Sequence, residues 1–123
     1  VTYLSKDFFA KPRPLGEFKP ELVHTVPWLE NLYFDSFPSG HTMGAFGFFF
    51  MLNHFLPKTN PLVSLFLFAL AAGCAYSRMY LGQHFLADLF AGSLIGVGAS
   101  LLIVGGIQYF ILKKISFHFK LQL

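Results

Sequence analysis

The sequence predicts an all-α fold: an integral-membrane helical bundle with three spanning helices in this chain and an extramembrane loop region before them. Three observations predict it. Of 123 residues, 54% are hydrophobic, 17 are phenylalanine and only 12% are charged, about half the usual charged share of a soluble domain. From Pro38 to Leu112 the only formally charged side chains are Lys58, Arg78 and Asp88. The apolar residues of that stretch fall into three runs. At roughly 1.5 Å per residue, each approaches or exceeds a hydrocarbon core of roughly 30 Å. Buried helices of a soluble bundle are the alternative. The long third run, uncharged after Asp88, favours the membrane.

The elements follow in order. Residues 1–37 are mixed and polar, with Pro12, Pro14, Pro20 and Pro27 as breakers. Val1–Ala10 reads as the end of a helix, with Leu4, Phe8 and Phe9 on one side. Pro14 to Asp35 reads as an irregular extramembrane loop. Residues 38–112 hold the three helices. The first runs from about Ser39 to Leu56 and stops at Pro57. The second runs from about Pro61 to Leu81, the third from about Phe85 to Leu112. Residues 113–123 form a tail. On the third helix Gly92, Gly96 and Ser100 recur at four-residue spacing, which lets another helix approach closely. The expected partners on Gly92 and Gly96 are helices outside this chain. The chain opens at Val1 in mid-pattern, so it is expected to be the C-terminal part of a longer protein. Cys74 is the single cysteine, which excludes an internal disulfide.

Charge placement sets an orientation. Lys58 lies between the first and second helices, and Lys113, Lys114 and Lys120 follow the third. Three spans put both places on one side, which the positive-inside rule makes cytoplasmic. The loop 1–37, the junction near His41 and the turn Arg78–His84 then face the periplasm or exterior, as in a bacterial inner membrane. A net charge of +3 from scattered residues is no nucleic-acid footprint.

Three polar motifs gather on that face. Lys6 and Arg13-Pro14 supply a point charge and a rigid fork that suits phosphate oxygens. By themselves they are equally a solvated loop surface. Pro38-Ser39-Gly40-His41 opens a helix, and free backbone N–H groups and the helix dipole favour an anion there. The plain alternative is a capped helix entry with a bystander histidine. Ser77-Arg78 through His84 to Asp88 is the third motif. His84 and Asp88 are four apart, on one helical face, so the carboxylate can accept the imidazole Nδ1–H and leave Nε2 a free lone pair. Its alternative is a structural ion pair of Arg78 with Asp88. No metal-ligand cluster is visible, and Asp88 is the one carboxylate in the apolar region, too few for a two-metal phosphatase. A cationic pocket with two histidines suits phosphoryl transfer with no metal and no cofactor.

These motifs, Lys6-x6-Arg13-Pro14, Pro38-Ser39-Gly40-His41 and Ser77-Arg78-x5-His84-x3-Asp88, resemble the three-part signature of the type 2 phosphatidic acid phosphatase superfamily. The resemblance implies a membrane lipid phosphatase of six spanning helices, with these motifs in its second half. By resemblance, His84 is the nucleophile that forms a phosphohistidine and Asp88 holds its ring. His41 is the general acid, and then activates water. Lys6, Arg13, Ser39, Gly40 and Arg78 cradle the phosphate. The implied substrate is a lipid phosphate or polyprenyl diphosphate in contact with membrane lipid. Activity is expected to fall at acid pH, because the attacking imidazole must be neutral. Vanadate-dependent haloperoxidases have a similar site but are soluble. A non-catalytic lipid-binding or transport protein is the remaining alternative.

Overall fold

The computed structural model describes residues 11–56 and 60–120, and the side chains of 115–120 are outside the description. The expected helix end at Val1–Ala10, Lys6 and Lys58 therefore lie outside the described residues. Among the described residues every regular element is helical. A short helix α1 (Pro14–Glu17) and a 3-10 turn (Pro20–Leu22) interrupt the N-terminal loop, each with proline in its first turn. Three long helices follow: α2 (Gly40–Phe55), α3 (Pro61–Tyr80) and α4 (Leu86–Lys120).

Local chemistry explains where they begin. Ser39 caps α2, its hydroxyl accepting from Thr42 N–H at 3.4 Å and from the Thr42 hydroxyl at 3.0 Å. Asn60 caps α3 by accepting from Leu62 N–H at 2.9 Å, with Pro61 at the first helical position. At the start of α4 the Asp88 carboxylate reaches back to Phe85 N–H at 2.9 Å, as the third helical residue does in a capping box. Gly82 turns the chain between α3 and α4 at φ +62°, a conformation that favours glycine. A side chain there would also strike Val23 of the N-terminal loop.

α2 is the central helix. It packs on both α3 and α4, which scarcely touch each other. Glycine lets α2 and α4 approach. A Cβ at Gly92 would lie 2.6 Å from Ser39 O, and one at Gly96 would strike Met43 O. Ser100 then donates its hydroxyl to Gly47 O across the same seam, at 2.9 Å. The expectation that helices outside this chain cover Gly92 and Gly96 is thus corrected. The small residues do serve close packing, but their partner is α2 of the same chain. On the other side of α2, Ser64 donates to Asn53 Oδ1 at 2.8 Å.

Among the described residues two helices are long and apolar enough to cross a membrane, Pro61–Tyr80 and Leu86–Lys114. Only 17% and 22% of an apolar 18-residue window in each are buried, whereas a soluble protein's core helix is mostly buried. Large apolar residues such as Phe66, Leu102 and Phe110 stand exposed. Both are candidate membrane spans. α2 has 16 residues, or about 24 Å, and falls short of a span by length alone. α4 outruns its apolar sequence, because no glycine or proline follows Leu112 to stop it, and Lys113 and Lys114 continue the helix.

Candidate active site

The site forms where the first turns of α2 and α4 meet. Ser39 N–H donates to Asp88 O at 3.1 Å, which fastens one helix start to the other. His41 stands in the first turn of α2, on the exposed side. His84 lies two residues before α4 and is 3% exposed. The structure thus brings Ser39, Gly40, His41, His84 and Asp88 to one end of the bundle.

Asp88 is fully buried and surrounded by donors. Lys11 Nζ sits 2.9 Å from Oδ1. Phe85 N–H and the Ser36 hydroxyl both donate to Oδ2. The cation on Asp88 is therefore Lys11, not Arg78, and the alternative of an Arg78–Asp88 pair is replaced. Lys11 is further held over the rings of Phe37 and Phe85, 5.8 and 5.3 Å from their centroids. His84 Nδ1 lies 3.8 Å from Asp88 Oδ2, too far for a direct hydrogen bond. It is 3.5 Å from Ser36 Oγ. The expected histidine–aspartate contact thus passes through a serine.

Arg13 has a task inside the fold. Its Nε donates to Phe34 O at 2.7 Å, Nη1 to Gln83 O and Oε1 at 3.0 and 3.1 Å, and Nη2 to Asp35 O at 3.3 Å. It fastens the N-terminal loop to the turn that carries His84. Asp35 adopts φ 61° there, a left-handed conformation that aspartate tolerates. Burial pushes the Arg13 guanidinium below its usual pKa; Asp35 and Asp88 pull it back up, and Arg78 pushes it down. It remains a cation throughout the physiological range. Arg78 occupies the last turn of α3, and its backbone carbonyl accepts from Gln83 N–H at 3.0 Å. Its Nε is buried with no hydrogen-bond partner among the described residues. Such a donor is costly unless something accepts from it.

The sequence model of the PAP2 superfamily matches residues 1–112. The chain belongs to the PAP2 superfamily. This PAP2 chain is 37% identical over 81 residues to dolichyldiphosphatase 1 of Dictyostelium discoideum, covering 58% of itself and 35% of that protein. It is 33% identical over 107 residues to phosphatidylglycerophosphatase B of Bacillus subtilis (strain 168), covering 81% of itself and 48% of the relative. The crystal structure of Aquifex aeolicus LpxE superposes with a TM-score of 0.67 at 34% identity, over 85% of this chain and 58% of that one. The chain thus spans about half the length, or less, of the curated relatives it matches.

Three residues of this PAP2 site escape the motifs: Lys11, Ser36 and Gln83. Their signal is weak in sequence. A lysine two residues before Arg13 and a serine beside Asp35 look like ordinary loop residues. Only the folded chain sets Lys11 and Ser36 against Asp88.

Proposed function

We propose that this chain carries the active site of a membrane phosphatase that hydrolyses a lipid phosphate or diphosphate through a phosphohistidine. One observation carries the reading. A buried histidine, backed by a hydroxyl and a carboxylate, sits where the N-terminus of α2 brings a second histidine. The unpartnered Nε of Arg78 supports an anion as the missing acceptor.

In the first step the Nε2 lone pair of His84 bonds to phosphorus while the bond from phosphorus to the leaving oxygen breaks. His41 delivers the proton that oxygen needs. In the second step His41 takes a proton from water, water attacks phosphorus, and the bond to His84 breaks. Lys6, Arg13, Arg78 and the N–H groups at Ser39 and Gly40 balance charge on the equatorial oxygens. Asp88 is already engaged by Lys11, Ser36 and Phe85, so its role is to hold charge beside His84 rather than to bind a metal. Phosphate release by the full-length protein from a lipid phosphate in EDTA tests the reading. Sustained turnover is expected, and a strict requirement for added divalent metal would overturn it.

The substrate's tail fits the cleft between α3 and α4. Two adjoining apolar cavities of about 310 and 250 Å³ lie there and share Phe46 and Ser93 as walls. The second reaches Leu86 and Leu89, beside Asp88. Filling the shared wall with Ser93→Phe is expected to raise KM severalfold for a long-chain lipid phosphate and to leave a short-chain analogue nearly unchanged. Equal effects on both would remove the cleft from the account. The expected substrates are phosphatidate, phosphatidylglycerol phosphate, polyprenyl diphosphate or a lipid A phosphate. Two relatives with phosphatase names act on dolichyl diphosphate and phosphatidylglycerophosphate, as those names state.

We further propose that α2 is a third span, shielded by its neighbours, and that the site faces away from the cytoplasm. A cysteine placed at Trp28, which is 84% exposed, is then labelled by an impermeant thiol reagent outside intact cells, and one at Lys120 is not. The opposite pattern would reverse the orientation.

A further inference from the structure

We propose that Ser36 is a positioning residue, whose hydroxyl bridges Asp88 and the Nδ1 edge of His84 and so decides which imidazole nitrogen keeps its proton. The proposal rests on His84 acting as the nucleophile. Ser36 has no solvent exposure. Its N–H donates to Lys11 O at 3.0 Å, and it follows the left-handed turn at Asp35 whose carbonyl Arg13 holds. Its place is therefore set by the backbone of the N-terminal loop, not by its own side chain.

Proton accounting at the bridge gives the tautomer. An ionised carboxylate only accepts, and a serine hydroxyl has a single proton to donate. That proton goes to Asp88 Oδ2. The Ser36 oxygen thus turns lone pairs toward His84 Nδ1, 3.5 Å away, and only an N–H there can face them. Nε2 keeps its lone pair for attack. Contacts of this kind tighten once the reacting complex forms. When Nε2 bonds to phosphorus the ring becomes cationic, and Nδ1–H donates more strongly to Ser36, backed by the Asp88 charge. No proton transfer along the bridge is needed.

Lys11 completes the device. It binds the other carboxylate oxygen, Oδ1, at 2.9 Å, while Phe85 N–H holds Oδ2. Asp88 is gripped from three directions, so it does not swing to His84 in place of the serine. The N-terminal loop, through Lys11 and Ser36, thereby sets the nucleophile on the following turn.

The test uses the full-length protein in nanodiscs with short-chain phosphatidate as probe. Ser36→Ala is expected to lower kcat by about 10- to 100-fold with KM within about twofold, and Ser36→Thr, which keeps the hydroxyl, to restore most of the loss. Nitrogen-15 spectra of histidine-labelled wild type are expected to show His84 as the Nδ1–H tautomer, with a mixture in Ser36→Ala. An Nε2–H tautomer in the wild type would overturn the proposal whether or not the variants fold. Unchanged kcat in Ser36→Ala, with His84→Ala inactive, would overturn the bridge and leave the nucleophile standing. Normal turnover in His84→Ala would overturn both.

Discussion

Replacing His84 with alanine is expected to abolish phosphate release, by on the order of 10⁴-fold or more, since removing a covalent nucleophile deletes the whole route rather than one contact. The fold is expected to survive. His84 precedes α4 rather than capping it; the cap is the Asp88 carboxylate on Phe85 N–H. A thermal melt near that of wild type alongside lost turnover would mark a chemical loss. Substantial residual activity would mean that another group attacks phosphorus.

Asp88→Asn is expected to cost both activity and stability, in unequal shares. Asparagine keeps one oxygen acceptor and presents an amide N–H₂ where the carboxylate had a second oxygen. That amide meets either Lys11 Nζ or the Ser36 hydroxyl and Phe85 N–H, all of which are donors. Breaking a fully buried pair costs about 3–5 kcal/mol. The Lys11 side chain is 37% exposed and can turn to water, so a stability loss of about 1–2 kcal/mol is expected. The activity loss is larger, on the order of 10³-fold, as for other histidines deprived of their carboxylate partner. Urea denaturation and steady-state kinetics on one preparation separate the two. A variant with wild-type turnover would show that Asp88 serves only to cap α4.

The helix starts were legible in the sequence because they are set by neighbours. The apolar runs and the Pro38-Ser39-Gly40 entry placed them, and the observed starts follow the expected ones within a residue; the caps at Asn60 and Asp88 came only with the structure. The end of α4 was not legible, since nothing in the sequence stops it after Leu112. The small-residue face at Gly92, Gly96 and Ser100 was readable as a packing surface. Its partner was not, because periodicity says which face is small and not which helix arrives there. The site divides the same way. His84 and Asp88 announce themselves by spacing. Lys11 and Ser36 reach Asp88 across 77 and 52 positions of chain, and no local pattern encodes that meeting. Arg13 shows a further limit. Its motif points to phosphate and gives no sign that the same fork also holds Phe34, Asp35 and Gln83 together.

The most direct test of the central claim is to trap the covalent state. The full-length enzyme is mixed with a radiolabelled lipid phosphate, quenched in base within milliseconds and mapped by peptide. Acid-labile, base-stable label on the peptide containing His84, rising and decaying at rates consistent with turnover, is the predicted result. Phosphate released at the wild-type rate with no label on that peptide, or label on another residue, would contradict it.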